Sequence, residues 1–231
     1  MTPGAGFRLE SVVPWGRSLA EYRSMFALTD ADLGRSILGC GDGPASFNAE
    51  LTARGGSVVS VDPVYQFSRE EIAARVEAVR PVVMENVRAN RQTFVWKEIA
   101  DPESLERIRM TAMNRFLEDF EEGREAGRYR VGGLPDLPCR VGEFDLALVS
   151  HFLFLYSDHL DEAFHREGIL SLLQVAREVR VFPVVELSGQ RSRHLDSVRS
   201  RLRDEGVVDQ LLPVRYEFQK GAAQMLVLSR G

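Results

Sequence analysis

Short apolar runs and helically spaced apolar residues alternate along most of the chain. The apolar runs predict strands at 35–38, 57–62, 128–131, 144–149 and 179–185, and two closing strands near 208–218 and 223–229 with a hairpin turn at 219–222. Helical spacing predicts helices at about 18–28, from Pro44 to the glycines at 55 and 56, at about 161–178 and at about 192–205. This alternation is typical of an α/β protein with a mostly parallel sheet.

The segment 64–128 interrupts the alternation with two long amphipathic helices, and we expect Pro81 to kink or break the first of them. The residues that would cap and open the two helices are Ser68, Glu71, Asp101 and Pro102. Because each helix has one apolar face, it must cover the main sheet or a ligand cleft. We therefore expect one domain over 1–231 with a helical insertion at about 64–128.

The composition narrows the class of protein. The chain has 231 residues, of which 44% are apolar and 27% charged, as in a globular domain and not a disordered chain. Its net charge of −5 and isoelectric point near 5.5 argue against nucleic acid as a partner. With only two cysteines, Cys40 and Cys139, and no Cys-x-x-Cys pair, neither a disulfide scaffold nor a metal site is expected.

The sequence shows no targeting or membrane signal. Residues 1–10 lack a basic stretch followed by an apolar run, and the apolar run at 152–156 is far too short to span a bilayer. We therefore expect a cytoplasmic protein without a membrane partner. The arginines between 191 and 203 are interrupted by apolar residues at helical spacing, which favours a solvated helix face over an RNA site. The oligomeric state stays open.

A glycine-rich turn between a strand and a helix is the sharpest chemical feature. Gly39, Gly41 and Gly43 follow the first predicted strand, and Asp62 ends the next strand about 20 residues later. Glycines let a ligand approach the backbone closely, and an acid at that position reaches a ribose diol. The spacing predicts a nucleotide cofactor without choosing among such cofactors. The alternative is a tight turn with an acid placed by chance.

Three segments resemble the motifs of class I S-adenosylmethionine-dependent methyltransferases. Leu-Gly-Cys-Gly-Asp-Gly at 38–43 resembles their first motif, Val-Val-Ser-Val-Asp at 58–62 resembles the second, and Leu-Pro-Cys at 137–139 followed by 142–149 resembles the fourth. The two closing strands match the antiparallel end of that fold. The resemblance implies a three-layer Rossmann-like sandwich with a mostly parallel seven-stranded sheet and an antiparallel last strand.

The resemblance covers about 30–62 and 129–231, which leaves 64–128 as an insertion. The amino-acid sequence of 37–67 and 150–158 is also similar to that of a group of bacterial methyltransferase-like proteins without an assigned substrate. The resemblance therefore implies an enzyme that uses S-adenosylmethionine as its cofactor and transfers a methyl group to an acceptor.

The same resemblance assigns site residues. Those expected at the cofactor are Gly39, Cys40, Gly41, Asp42, Gly43, Asp62, Pro63, Val64, Tyr65, Leu134 and Ser150. The glycines would line the methionine and ribose, and Asp62 would accept hydrogen bonds from the ribose hydroxyls. Pro63, Val64 and Tyr65 would lie near the adenine, and Ser150 would lie beside the sulfonium.

Two positions depart from the family pattern. Ile37 stands where an acid usually precedes the first glycine, and Gly133 or Leu134 stands where an acid is often found near the adenine. Asp42 or a water would then contact the amino group, and Asp136 would reach the adenine.

Methyl transfer requires mainly an aligned displacement and the exclusion of water. A base is needed only if the acceptor must lose a proton. We expect His151 or Tyr156 in that role, because they follow the strand at 144–149, with Asp158 and His159 as further candidates. The alternatives are a packing or helix-start role for His151 and an ordinary loop for the other three. The run at 152–155 fits the core better than a substrate wall.

The acceptor itself cannot be read from these residues. We expect a small molecule, because the helical insertion could close a pocket and the chain is acidic. The alternatives are an RNA or protein methyltransferase and a non-enzymatic protein of the same fold. A basic groove beside the glycine turn would favour the first alternative, and loss of any pocket next to Asp62 would favour the second.

Overall fold

Seven short, mostly apolar runs form a single sheet in the computed structural model, which describes residues 15–231; the segment 1–10 used above for targeting lies outside the described residues. The strands are β1 (Ser36–Cys40), β2 (Ser57–Val61), β3 (Tyr129–Arg130), β4 (Phe144–Ser150), β5 (Ala176–Phe182), β6 (Val207–Pro213) and β7 (Gln224–Arg230). Their order across the sheet is β3-β2-β1-β4-β5-β7-β6. Strands β1 to β5 run parallel to one another, whereas β7 runs antiparallel to both of its neighbours, β5 and β6. The predicted fold class is confirmed.

Helices flank the sheet and are joined to it by short connections. They are α1 (Leu19–Met25), α2 (Asp30–Leu33), α3 (Phe47–Thr52), α4 (Arg69–Ala89), α5 (Pro102–Glu125), α6 (Glu162–Val175) and α7 (Leu195–Asp204). The side chains of the predicted caps Ser68 and Asp101 each accept a backbone amide of the first turn, and so do those of Ser18 before α1 and Asp161 before α6. Within residues 15–231, no helix combines the length and the apolar character that crossing a membrane requires.

Several predicted boundaries are wrong near the glycine turn. Strand β1 continues through Gly39 to Cys40, although the glycines were expected to end it at 38. Helix α3 begins at Phe47 and not at Pro44, because the residues before it bond elsewhere. The Gly43 amide donates to Asp62, and the Ser46 amide donates to the carbonyl of Arg17.

Other corrections lie farther along the chain. Helix α4 runs through Pro81, so the break that was one of its two predicted effects is wrong. The polar segment 29–34 contains the unpredicted helix α2. Strand β5 ends at Phe182, three residues early, because Pro183 cannot donate to a ladder. Strand β6 ends at Pro213, and the connection to β7 is longer than the predicted hairpin because residues 218–220 bond to residues 93–95.

The sheet is packed on both faces. One apolar cluster joins it to α6 and α7, and a second joins the opposite face to α1 and α3, which gives three layers. Helices α4 and α5 pack against each other and against Tyr65 and Tyr129. Cys40 is paired with Val61 on one side and Val149 on the other, so the carboxyl ends of β1, β2 and β4 meet at one edge. That edge positions the site described next.

Candidate functional site

A cavity of about 610 Å³ opens at the carboxyl ends of the parallel strands. The segments that follow β1, β2 and β4 form one wall, and α4, α5 and the chain before α1 form the other. The strand order reverses between β1 and β4, and ligands of open α/β sheets bind at such a switch point. The volume falls within the range of about 300–1,000 Å³ that is usual for ligand pockets.

The glycine turn forms the floor of the cavity. Gly41 and Gly43 have φ angles of 71° and 55°, in the left-handed region that favours glycine. The Gly41 amide donates to the carbonyl of Val61 at 2.9 Å. A Cβ atom on Gly41 would lie 3.3 Å from the side chain of Phe152. The turn is thus tied to the end of β2 and leaves its backbone accessible to a ligand.

Asp62 lies directly after β2 and lines the same cavity. Its Oδ2 accepts the Gly43 amide and its Oδ1 accepts the Val64 amide, both at 2.8 Å. Burial raises the pKa of Asp62, and the two amides oppose that shift. Each carboxylate oxygen can accept a further hydrogen bond. The side chain is therefore oriented by the backbone and still able to bind a hydroxyl.

Asp42 is more deeply buried than Asp62. Its Oδ1 accepts the Tyr22 hydroxyl at 2.6 Å, and its Oδ2 accepts the Ser60 hydroxyl at 2.7 Å. Burial raises the pKa of Asp42 to about 6, although these two hydrogen bonds lower it and the charge of Asp62 adds to the rise. Ile37 is fully buried in the sheet. Asp42 therefore connects the glycine turn to α1 and β2.

Two of the predicted cofactor residues do not line the cavity. Gly39 is paired inside the sheet, and a Cβ atom there would lie 1.8 Å from Asp42 Oδ2, so this glycine makes room for the aspartate. Tyr65 packs among the aromatic residues of α5, and its hydroxyl donates to the carbonyl of Gly43 at 2.8 Å. Both residues support the turn from behind. The predicted cofactor residues that do line the cavity are Cys40, Gly41, Asp42, Gly43, Asp62, Pro63, Val64, Leu134 and Ser150.

Gly133 and Asp136, the two positions expected near the adenine, differ in whether they line the cavity. Gly133 lines the cavity together with Leu134. Asp136 is exposed and does not line the cavity, so the structure offers no support for it as a substitute acid.

Ser150 and His151 stand at the carboxyl end of β4 and line the cavity. Ser150 Oγ lies 3.0 Å from His151 Nδ1, and the His151 amide donates to the carbonyl of Phe182 at 2.7 Å. The φ angle of His151 is 52°, a left-handed conformation that is uncommon outside glycine and recurs at functional sites. The ring is thus held in one place beside the glycine turn.

The charge state of His151 follows from its surroundings. Burial, and then the positive charges of Arg17 and Arg109, hold the pKa of His151 well below its ordinary value. The imidazole is therefore neutral near pH 7 and can accept a proton.

Of the other residues predicted as a possible base, only Tyr156 lines the cavity. Tyr156 is buried and lines the cavity. Asp158 and His159 do not line it, and Asp158 pairs with Arg193 at 2.6 Å. The run at 152–155 serves two purposes, because its first and last residues line the cavity whereas the middle two belong to the core.

Sequence reasoning missed Arg17, Tyr22 and Arg109, which also line the cavity. Arg109 is only 1% exposed and lies on the buried face of α5. Its position was visible as an arginine on the apolar stripe between Leu105 and Ala112, where a solvated helix would not place a charge. Arg17 carried no such signal, because the segment before α1 has no periodicity.

These features define an α/β protein with a ligand cavity at the switch point of a mostly parallel sheet. The chain is 30% identical over 223 residues to the uncharacterized protein MJ0045 of Methanocaldococcus jannaschii, and the match covers 96% of this chain and 98% of that protein. The chain belongs to the same family as MJ0045. No protein-family profile matches the chain.

Solved structures similar to the chain include three with low sequence identity. The magnesium protoporphyrin IX methyltransferase ChlM of Synechocystis PCC 6803, with bound SAM, is 14% identical with a TM-score of 0.47, over 92% of this chain and 78% of that one. The mitomycin 7-O-methyltransferase MmcR is 14% identical with a TM-score of 0.48, over 92% and 54%. WbdD is 13% identical with a TM-score of 0.47, over 91% and 40%. The chain thus spans about half or less of MmcR and WbdD, and similarity at this level does not say what the chain binds.

Proposed function

We propose that the protein is an S-adenosylmethionine-dependent methyltransferase that acts on a small molecule. The observation that carries this proposal is the position of Asp62. Its carboxylate stands at the end of β2, is held 2.8 Å from the Gly43 amide, and lines a cavity whose floor is a left-handed glycine turn. An acid beside such a turn suits a ribose diol bound at the switch point of the sheet.

The residues around the cavity fit this cofactor. Asp62 would accept hydrogen bonds from the ribose hydroxyls, Gly41 and Gly43 would let the backbone approach the methionine portion, and Pro63 and Leu134 would contact the adenine. When bound, S-adenosylmethionine supplies a methyl group that its sulfonium already activates. What the protein must add is alignment of the acceptor and exclusion of water.

His151 is the residue placed to handle a proton. Its Nδ1 lies 3.0 Å from Ser150 Oγ. In the tautomer in which Nδ1 donates to that hydroxyl, the opposite nitrogen, Nε2, would accept a proton from an acceptor hydroxyl or amine. The lowered pKa of His151 keeps the ring neutral near pH 7, which leaves one ring nitrogen unprotonated for this step. Tyr156, on the same cavity wall, would position the acceptor.

A small-molecule acceptor is supported by the shape and lining of the cavity. Long helices α4 and α5 close one side of it, and the wall beside the glycine turn contains Pro63, Val64 and Leu134 and no run of basic residues. A cavity next to Asp62 also counts against a non-enzymatic protein that has lost its ligand site. Helices α4 and α5 are proposed to act as a cover over the domain.

Calorimetric titration tests the proposal. We expect the purified protein to bind S-adenosylmethionine and S-adenosylhomocysteine in the micromolar range and NAD far more weakly. Asp62→Ala should weaken binding of S-adenosylhomocysteine by about 1–3 kcal/mol, since it removes hydrogen bonds to a charged acceptor.

The control is Asp204→Asn, which changes an exposed aspartate at the end of α7. This variant should bind as the wild type does. Failure of the wild type to bind either sulfur compound would contradict the proposed function, and an unchanged affinity in Asp62→Ala would contradict the role of Asp62.

A further inference from the structure

Two arginines and one glutamate meet on the cavity wall formed by α5 and the chain before α1. Arg17 and Arg109, called the arginine pair below, both line the cavity. Glu21, from the capping box of α1, forms an ion pair with Arg109. Arg17 has no ion pair with any carboxylate of residues 15–231. This group therefore carries two positive charges and one negative charge.

The arginine pair has unused donors. Arg109 donates to Glu21 and to the Tyr216 hydroxyl, and Arg17 donates to the carbonyl of Trp15. Both Nε atoms are nevertheless buried without a hydrogen-bond partner among the described residues. Buried polar groups in folded proteins are almost always hydrogen-bonded. Two unpartnered donors on side chains that line a cavity therefore indicate a group whose hydrogen bonds are not completed within the described residues.

An apolar surface lies directly beside the arginine pair. Arg109 is one helical turn beyond Leu105 on α5, and Leu105 belongs to a cluster that includes residues of α4. The members of this cluster that line the cavity, called the apolar wall below, include Val79, Val83, Val87, Phe94, Leu105 and Phe218. The cavity thus has the positive charge of the arginine pair and an apolar surface side by side.

We propose that this part of the cavity binds an acceptor with an apolar body and one anionic group, a carboxylate, sulfonate or phosphate that pairs with Arg17 and Arg109. The inference rests on the proposed methyl-transfer function and names the class of acceptor for that same site. The apolar body lies against the apolar wall. Guanidinium groups suit this task because they bind such oxyanions through two parallel N–H donors.

The apolar wall lies on the side of the cavity where both arginines stand. Leu105 precedes Arg109 by one turn of α5, and Trp15, whose carbonyl accepts an N–H of Arg17, packs against the same apolar cluster and lines the cavity. The Arg17 carbonyl also accepts the Ser46 amide just after the glycine turn, so the carboxylate of the cofactor's methionine portion is the competing anion. The measurement with S-adenosylhomocysteine below separates the two sources.

A pair of fluorescent probes tests this inference on the intact protein. The anionic probe is 1-anilinonaphthalene-8-sulfonate, and its neutral match is N-phenyl-1-naphthylamine, which has the same rings without the sulfonate. Affinities of both probes, and of S-adenosylhomocysteine by calorimetry, are measured for the wild type, Arg17→Gln and Arg17→Lys. Arg107→Gln, an exposed arginine on α5, controls for net charge.

We expect Arg17→Gln to lower the affinity for the sulfonate probe by about tenfold or more. The affinities for the neutral probe and for S-adenosylhomocysteine should change by less than about twofold. Arg17→Lys should recover part of the loss, and Arg107→Gln should change none of the three affinities. The inference is overturned by an unchanged sulfonate affinity in Arg17→Gln, by an equal loss for both probes, or by a tenfold loss for S-adenosylhomocysteine, which would assign the arginine to the cofactor.

The two proposals can fail separately. Charge-dependent probe binding in a protein that does not bind S-adenosylhomocysteine would refute the methyltransferase proposal and leave the anion site standing.

Discussion

The buried carboxylate of Asp42 should make the stability of the protein depend on pH. Replacing it in Asp42→Asn removes the titrating group and preserves the size of the side chain. The Tyr22 and Ser60 hydroxyls, which now donate to the two carboxylate oxygens, can rotate to accept as well as donate. The variant should therefore keep the hydrogen-bonded connection between α1, β2 and the glycine turn.

The magnitude follows from the shifted ionisation. Burial raises the pKa of Asp42 to about 6, from an ordinary 3.8. The folded state thus holds a proton at pH values where the unfolded chain has released it. The stability that this proton contributes is fully present below the unfolded pKa and is lost as the pH rises through the folded pKa. A shift of about two pKa units corresponds to about 3 kcal/mol.

Urea unfolding of the wild type and Asp42→Asn, followed by the fluorescence of Trp15 and Trp96, measures this effect between about pH 4 and pH 8. As the pH rises over that range, we expect the free energy of unfolding of Asp42→Asn relative to the wild type to increase by about 2–3 kcal/mol. Asp204→Asn should show no such drift. A constant difference across the range would refute the assignment of a raised pKa to Asp42.

Two further predictions concern residues behind the cavity wall. Gly39→Ala should lower the free energy of unfolding by about 1–3 kcal/mol because its Cβ atom would lie 1.8 Å from Asp42 Oδ2, whereas Gly34→Ala, with its nearest contact at 3.5 Å, should be nearly neutral in the same urea titration. Glu21→Gln should lower the free energy of unfolding by about 3–5 kcal/mol at pH 7, because Arg109 is left buried without its counter-charge. A loss below about 1 kcal/mol would show that the ion pair is dispensable.

Local chemistry explains what could be predicted correctly. The caps at Ser68 and Asp101 are formed within a few residues of sequence, so their patterns were sufficient. The glycine turn and Asp62 were also readable, because the left-handed backbone needs glycine and the acid follows a buried strand. The boundary at Pro44 failed because the amides of Gly43 and Ser46 find acceptors in distant segments.

Patterns along the chain were therefore enough to predict the alternation of strands and helices, the parallel sheet and the position of the glycine turn with its acid. These depend on periodicity, capping and backbone conformation, which act over short stretches of chain. The packing of distant segments places Gly39 and Tyr65 behind the turn and brings Arg17 and Arg109, 92 positions apart in the chain, to one cavity wall. These features could not be predicted, because burial and charge pairing depend on which distant segments pack together, and spacing along one segment carries no information about that packing.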